Sequence, residues 1–334
     1  MTTIHDIAKK TGFSVCTISQ VLNGHPKAMK MRRTTVETIL AAAKELNYTP
    51  SFAARTLATG RSCTVGLILG DIQDDVFSYF HEKFIESARA AGCRLLTLVT
   101  DWNREQELAG IRELRARGCD GIFLGVGSLS ADPVFCARLA EERYPIISYG
   151  AALEGISSVI VDYRPGIEDM LARLSRRNRR IIAFLSSNET VRNCVIEEEC
   201  GKLGLEYRCV DSPSIPEHGD LERFAALIRQ SENTAFIFSS STYAMRTVSV
   251  LHRQGIAIPE HADIVGIGME RWSEYFIPSL STVSFDVDGM MNRSMELLLN
   301  YPEQGPRQLI FPTVYHQRAS TLPSDQNNKG EERG

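Results

Sequence analysis

The chain has 334 residues, of which 43% are hydrophobic and 23% are charged, a composition typical of globular proteins with a large buried core. Its length predicts two or three domains, and no apolar run approaches the ~20 residues of a membrane-spanning helix, so no membrane partner is expected. The net charge of −4 divides into +6 for residues 1–62 and −10 for the remainder, which suits the N-terminal part to contact with a polyanion.

The cysteines and histidines are dispersed along the chain, and no two cysteines form a C-x-x-C pair. We therefore expect neither a structural zinc site nor any other metal or cofactor. Because the N-terminal segment MTTIHDIAKK lacks the apolar core of a signal peptide, we expect a cytoplasmic protein with reduced thiols.

The first predicted element is a short helix over residues 4–11. Thr3 is its N-cap candidate, with Asp6 three positions later as a weak analogue of a capping box. Gly12 ends the helix, because glycine tolerates the left-handed conformation of a C-terminal cap. The apolar residues of one face, which we expect to be buried, are Ile4, Ile7 and Ala8.

A second helix is predicted over residues 15–22, with Ser14 as its N-cap and with Ile18, Val21 and Leu22 directed inward. Two short helices joined by a glycine-containing turn form the helix-turn-helix pattern. A third amphipathic helix is predicted over residues 34–47, and its expected core residues are Ile39, Leu40, Ala43 and Leu46.

After a linker rich in small residues, apolar segments alternate with amphipathic helices from Thr64 onward. Apolar strands separated by helices indicate a parallel sheet that is covered on both faces. The predicted strands cover residues 64–70, 94–100, 121–126 and 145–150, and then 158–162, 180–187, 207–211, 234–240 and 263–269. We therefore predict two successive doubly wound lobes, with a ligand cleft where the carboxyl ends of their strands face each other.

The segment TIHDIAKKTGFSVCTISQVLNG, followed by ELNYTPSFAARTL, resembles the DNA-binding headpiece and hinge of the LacI/GalR repressor family. The resemblance implies an α/β protein with a small all-α helix-turn-helix headpiece and a two-lobed, doubly wound effector domain that resembles periplasmic binding proteins. The implied domains are the headpiece over 1–50, the hinge over 51–62, an effector-binding and dimerisation domain over 63–322, and a disordered tail over 323–334.

The resemblance also implies which residues of the second helix read bases in the major groove of DNA, namely Val15, Cys16 and Gln20. A glutamine can form two hydrogen bonds with adenine, and the other two side chains can contact thymine methyl groups. A position in the headpiece core is the alternative for Val15. Because no arginine is among these residues, we do not expect strong guanine contacts from this helix.

Further residues match family positions that contact the DNA backbone or the minor groove. The implied phosphate contacts are Thr3, Thr17, Ser19 and Asn23. In the hinge, Ala54 is small enough to approach the minor groove, and Leu57 matches a leucine that wedges between base steps. Packing on the body is the alternative for Leu57. Because hinge helices work in pairs, the family implies a homodimer on a pseudo-palindromic operator of double-stranded DNA.

The loop over residues 24–33 is longer than is usual in the family and is basic. It contains Lys27, Lys30, Arg32 and Arg33. Two interpretations stay open at this point, namely additional phosphate contacts and a solvated loop without a partner.

Three residues are candidates for effector binding. Arg192 aligns with an arginine that binds effector in many members, and Phe77 with a cleft position of the purine-responsive branch. Ser240 begins the Ser-Ser pair that replaces the family's usual Asn-Asp pair, and Gly268 replaces a carboxylate that binds sugar hydroxyls. The alternatives are that Arg192 is a surface arginine of its helix and that Phe77 is a core residue. A ligand other than a simple sugar, or no ligand, therefore stays open.

The function expected from these features is sequence-specific regulation of transcription, with repression as the output and a carbohydrate-related effector as the control. An enzyme is the first rival class, but the chain has neither a P-loop lysine motif nor a G-x-S-x-G elbow, so no catalytic residue is expected. A periplasmic solute-binding protein is the second rival, and it leaves the DNA-binding headpiece unexplained.

Overall fold

In the computed structural model, the described residues are 2–22, 27–48, 56, 60–73, 75–125, 132–150, 152–186, 190–213, 217–268 and 271–322. The predictions for Asn23, Ala54 and Leu57 and for the tail over 323–334 concern residues outside this set. The chain divides into two compact units, Met1–Thr64 with Gly118–Asp120, and Val65–Arg117 with Gly121–Gly334.

The helices of the first unit are α1 (Ile4–Thr11), α2 (Val15–Leu22) and α3 (Arg33–Glu45), with a short 3-10 turn at Ala28–Lys30. We call this group of helices the headpiece. Apolar side chains from all three α-helices form one small core, whose buried members are Ile7, Ile18, Val21, Ile39, Ala42 and Ala43. The predicted inward faces of the first two helices are therefore confirmed, with Ile4, Ala8 and Leu22 partly buried at the edge of this core.

The prediction that Leu40 belongs to the headpiece core is wrong, because this residue is 50% exposed. Consecutive residues of an α-helix point about 100° apart, so Ile39 and Leu40 cannot both point directly at the core. The inward direction is taken by Ile39 with Ala42 and Ala43, and Leu40 is left on the flank that faces solvent.

Asp120 joins the two chain segments that form the first unit. The carboxylate of Asp120 accepts hydrogen bonds from the backbone N–H groups of Ser62 and Cys63, each over 2.8 Å. Cys63 has a φ of 49°, a left-handed conformation that non-glycine residues adopt rarely, so these hydrogen bonds help to hold a strained residue.

The second unit contains two lobes of alternating strands and helices. The first lobe is built from β1 (Thr64–Leu69), α4 (Asp75–Ala90), β2 (Arg94–Val99), α5 (Arg104–Ala116), β3 (Gly121–Leu124), α6 (Pro133–Glu141), β4 (Ile146–Tyr149) and β5 (Ser157–Asp162). The second lobe is built from α7 (Arg164–Leu174), β6 (Arg180–Leu185), α8 (Thr190–Leu203), β7 (Glu206–Asp211), α9 (His218–Arg229), β8 (Thr234–Phe238), α10 (Ser241–Arg253), β9 (Asp263–Gly268) and β10 (Ser281–Phe285). The chain then continues through α11 (Val287–Gln304), which packs in the first lobe, and β11 (Gln308–His316).

The strands follow the order β2-β1-β3-β4-β5-β11-β10-β9-β8-β6-β7. Each strand predicted from the sequence is present, and its ends lie within two residues of the prediction. The sequence did not predict β10 and β11, which link the two lobes. The first half of β11 pairs in parallel with β5, and its second half pairs antiparallel with β10.

In each lobe, helices cover both faces of the strands, as predicted for doubly wound lobes. In the first lobe, Phe80 and Phe84 of α4 pack with α11 on one face, and Leu114 of α5 packs on the other. Gly66 makes the second contact possible, because a Cβ there would lie 2.7 Å from Cδ1 of Leu114. In the second lobe, α9 and α10 pack on one face and α7 and α8 on the other. Among the described residues, no helix is both long enough and apolar enough to cross a membrane.

Candidate DNA interface and effector site

The start of the headpiece is fixed by a reciprocal cap. The backbone N–H and the hydroxyl of Thr3 both donate to the carboxylate of Asp6, each over 2.8 Å. These hydrogen bonds lower the pKa of the Asp6 carboxyl, chiefly through the backbone N–H of Thr3. The predicted cap of α1 is therefore confirmed, and Thr3 lies exposed at the N-terminus of that helix, where the backbone dipole attracts anions.

The turn between α1 and α2 has the geometry that the sequence predicts. Gly12 has a φ of 72°, and its N–H donates to the carbonyl of Ala8, which caps α1. Ser14 then starts α2, because its hydroxyl accepts the N–H of Thr17 over 3.1 Å. The two hydroxyls of Ser14 and Thr17 also bond to each other over 2.9 Å.

The candidate base-reading residues lie outside the buried core of the headpiece. Cys16 is exposed, and Val15 and Gln20 are partly exposed, whereas Ile18 on the same helix is fully buried. The side-chain amide nitrogen of Gln20 lies 3.6 Å from the sulfur of Cys16. One surface of α2 thus offers an amide and a thiol together, both able to contact base edges.

A basic segment follows α2. The 3-10 turn Ala28–Lys30 is held by Ala28 and Met31, which pack against the headpiece core. Lys27, Lys30 and Arg32 are exposed. Helix α3 begins at Arg33 with no acidic residue in its first turn and no side-chain cap, so its N-terminal N–H groups add to the local positive potential.

The candidate effector residues of the second lobe meet at the carboxyl ends of the strands. Arg192, in the first turn of α8, donates from Nη1 to the carbonyl of Ser239 over 2.8 Å. Its guanidinium lies 5.3 Å from the centre of the Tyr163 ring. Ser240 is buried next to this contact, immediately before α10. The hydroxyl of Ser241 is also buried and has no hydrogen-bond partner among the described residues.

Phe77 lies in the first lobe, in α4. Its ring meets that of Trp102 edge to face with a centroid distance of 5.1 Å, and it also contacts the ring of Phe80. Trp102 donates from Nε1 to the buried carboxylate of Asp71 over 2.8 Å. Phe77 is thus partly a core residue, and one edge of it joins an aromatic pair at the carboxyl end of β1.

Trp102 was not predicted from the sequence as a site residue. It lies in a strained turn. Asp101 and Trp102 have φ values of 48° and 59°, and consecutive left-handed residues that are not glycine cost free energy. The Trp102 ring lies over Gly70, where a Cβ would come within 2.5 Å of it. Tyr163 was missed as well. Their positions could have indicated Asp71 and Tyr163 as site residues, because both closely follow the ends of parallel strands, where ligands bind in such sheets.

Other sequence features have structural roles. Asp162 accepts the backbone N–H of Arg164 over 3.1 Å, a local hydrogen bond at the start of α7. The cysteines occur as free thiols. Within the described ranges, no three His, Cys, Asp or Glu residues lie together in a way that would hold a metal ion.

Two family models match the chain. The model for bacterial regulatory proteins of the lacI family matches residues 3–51, and the model for a periplasmic binding protein-like domain matches residues 171–321. The HTH-type transcriptional regulator GalR of Escherichia coli (strain K12) is 26% identical over an alignment 340 residues long, gaps included, which covers 97% of each chain. The sucrose operon repressor of Klebsiella pneumoniae is 39% identical over 147 residues, or 44% of this chain and 43% of the repressor.

Among solved structures, a lac repressor dimer bound to operator and the anti-inducer ONPF is similar in fold, with a TM-score of 0.81 and 18% identity. The alignment covers 96% of this chain and 99% of that one. The headpiece geometry, the two doubly wound lobes and the full-length relatives agree with one another. The chain therefore belongs to the LacI/GalR family of DNA-binding transcriptional regulators, and the relatives that it matches are regulators rather than enzymes.

Proposed function

We propose that this regulator is a homodimeric repressor that binds a pseudo-palindromic operator and is controlled by a sugar or sugar derivative in the cleft between the two lobes of its body. The observation that supports the effector site best is Arg192, which lies beside Ser240 at the carboxyl ends of the strands. A small molecule bound there would change the relative stability of two arrangements of the lobes and so change the affinity for DNA.

On the DNA side, Gln20 is the residue proposed to choose a base, since its amide can donate to and accept from adenine. Val15 and Cys16 supply apolar contacts to neighbouring thymine methyl groups. Thr3, Thr17 and Ser19, with Asn23 outside the described residues, would bind phosphates and fix the register. Ala54 and Leu57, also outside the described residues, are proposed for the minor groove of the operator centre.

The proposal of a homodimer rests on an apolar surface of the second lobe. After β9, Trp272 is 52% exposed, Tyr275 is 74% exposed and Ile277 is 85% exposed. Large apolar side chains that are exposed together mark protein interfaces. A second copy of the chain is the proposed occupant, because the similar lac repressor is a dimer on its operator and a two-fold protein matches a palindromic site.

On the effector side, the second lobe offers a guanidinium and a buried serine, and the first lobe offers the aromatic edge of Phe77. This combination can bind hydroxyl groups and also pack against the apolar face of a sugar ring. The resemblance to the family places Gly268 where a carboxylate would bind sugar hydroxyls, so an anionic sugar derivative, which can form charge-assisted hydrogen bonds with Arg192, fits better than a neutral sugar.

The DNA-binding part is tested by selecting sequences from a pool of random duplexes with the full-length protein. The wild type should enrich one pseudo-palindrome. Gln20→Ala should lose the preference at one symmetric pair of positions, by about 1–3 kcal/mol. Thr17→Ala should weaken binding to all sequences alike, because a phosphate contact is not sequence-specific. If the wild type enriches no sequence, the proposal of operator recognition fails.

A fluorescently labelled duplex of the selected sequence then tests control and output. A panel of sugars, sugar phosphates and uronic acids is added while anisotropy reports the bound fraction. A ligand that changes the apparent affinity of the wild type, and has no effect on Arg192→Ala, supports the proposed site. A promoter that contains the duplex should give less transcript with the protein than without it, whereas more transcript would contradict repression.

A further inference from the structure

One side chain of the second lobe makes a polar contact with the first lobe. Arg271 lies in the loop after β9, and its guanidinium forms an ion pair with the carboxylate of Glu82 in α4. The same guanidinium lies 5.3 Å from the centre of the Tyr79 ring and 5.0 Å from that of Trp272. Arg271 therefore reaches a carboxylate and an aromatic ring of the other lobe.

The partner surface on the first lobe is held in place by its own contacts. The hydroxyl of Tyr79 donates to Asp288 at the start of α11 over 2.7 Å. The ammonium of Lys83 lies 5.2 Å from the Tyr79 ring and forms an ion pair with Glu86 over 3.0 Å. The ring that Arg271 contacts is therefore held in place by residues of the first lobe itself.

A second contact between the lobes lies close by. A Cβ at Gly268, the last residue of β9, would lie 3.0 Å from Cγ2 of Val76 at the start of α4. Gly268 also has a φ of 128°, which side chains rarely allow. The absence of a side chain at this position thus lets the end of β9 approach α4 and brings Arg271 within reach of Glu82.

We propose that Arg271 is a latch between the lobes, which stabilises the arrangement in which it contacts Glu82 and sets how often the lobes separate. The side chains of Arg271 and Glu82 are 39% and 41% exposed, so water and salt screen the ion pair. Such a contact is weak enough to break and form again readily. It is specific in geometry, because the flat, charged guanidinium contacts both the Glu82 carboxylate and the Tyr79 ring. The role of this latch in regulation rests on the proposed control of DNA binding by an effector.

The test measures separation of the lobes in full-length protein without effector or DNA, so it does not depend on operator binding. Hydrogen–deuterium exchange is followed in the peptides that contain residues 76–82 and 271–277 at two protein concentrations, because dissociation of the proposed dimer would depend on concentration and separation of the lobes within one chain would not. Arg271→Gln and Glu82→Gln should each speed exchange in these two segments about two- to tenfold, with the rest of the chain unchanged. Glu113→Gln, which removes an ion pair between α5 and Arg117 just after its end, should leave both segments unchanged.

Two further measurements separate a latch from an ordinary surface pair. The double variant Glu82→Arg with Arg271→Glu should restore part of the slow exchange, because the reversed charges still attract each other although the contact with the Tyr79 ring is lost. Raising the salt concentration from about 0.05 M to about 0.5 M should speed exchange in the wild type and have little effect on Glu82→Gln. Unchanged exchange in the single variants, equal effects of Glu113→Gln, faster exchange throughout the chain, or no rescue by the reversed pair would each overturn the proposal.

Discussion

The guanidinium of Arg192 lies 5.3 Å from the centre of the Tyr163 ring, and it also donates to the carbonyl of Ser239 over 2.8 Å. Arg192 lies in the first turn of α8, whereas Tyr163 follows β5, so this contact joins the chain at the crossover from the first lobe to the core of the second. The arginine is thereby held at the carboxyl ends of the strands, so it would lose less side-chain conformational entropy on binding the proposed ligand.

This arrangement predicts the effect of Arg192→Ala on ligand stabilisation. A ligand at about 100 times its Kd stabilises the folded state by about 2.7 kcal/mol, and removal of the guanidinium should abolish most of this gain. Thermal unfolding with the panel of sugars, sugar phosphates and uronic acids measures it. Arg253→Ala, at the far end of α10, is the matched control and should respond as the wild type does. A ligand that stabilises all three proteins equally would remove Arg192 from the site.

The basic segment of the headpiece predicts a change in the salt dependence of DNA binding. Each phosphate contact contributes about 0.9 to the slope of log affinity against log salt concentration. Lys30→Ala combined with Arg32→Ala should therefore reduce the slope by about 2, measured by anisotropy with a random 30-base-pair duplex. Lys10→Ala combined with Lys44→Ala removes the same charge elsewhere on the headpiece. Equal slopes for the two variants would indicate a general field effect and leave the segment as a solvated loop.

The aromatic core of the second lobe predicts a large loss of stability for Phe184→Ala. Phe184 is almost fully buried, and its ring lies 4.4 Å from that of Phe224 and 4.8 Å from that of Phe238, centre to centre. The cavity should lower the free energy of unfolding by about 3–5 kcal/mol, measured by urea denaturation. Val191→Ala, at a position that is 62% exposed, should change it by less than about 0.5 kcal/mol. A similar loss for both variants would contradict the packing argument.

The ion pairs between α7 and α8 predict acid sensitivity. Hydrogen bonds from Arg164, and then from Lys202, lower the pKa of Glu198 from 4.5 to about 2. A carboxyl whose pKa is depressed by folding stabilises the protein above its unfolded pKa, and this stabilisation is lost as the pH falls toward the folded pKa. The Tm of the wild type should therefore fall more steeply between about pH 5 and pH 2.5 than that of Glu198→Gln.

Two variants isolate the cause of this acid sensitivity. Arg164→Gln should show the shallower pH dependence of Glu198→Gln, because it removes the main partner of this carboxylate. Arg173→Gln breaks a separate ion pair with Asp169 on the same helix and should keep the wild-type dependence. Parallel Tm curves for the wild type and Glu198→Gln would show that the carboxyl has an ordinary pKa.

Much of the fold follows from local patterns of the sequence. The cap of Thr3 on Asp6 and the left-handed Gly12 involve residues three or four positions apart, so the nearest neighbours decide them. The strands of both lobes were predictable because each is a continuous apolar segment that is buried on both faces. By contrast, β10 and β11 have mixed composition, and Pro312 within β11 is unusual in a strand.

The proposed DNA-reading surface and the contacts between the lobes depend on the sequence to different degrees. The sequence by itself determined the helix-turn-helix, since capping, turn and apolar spacing all lie within about twenty residues. Only the tertiary structure decided that Leu40 faces solvent, that Trp102 bonds to Asp71, and that Arg271 meets Glu82, 189 positions away in the chain. The physical reason is that packing and long-range pairing depend on where distant segments meet, and no local preference of the chain encodes that meeting.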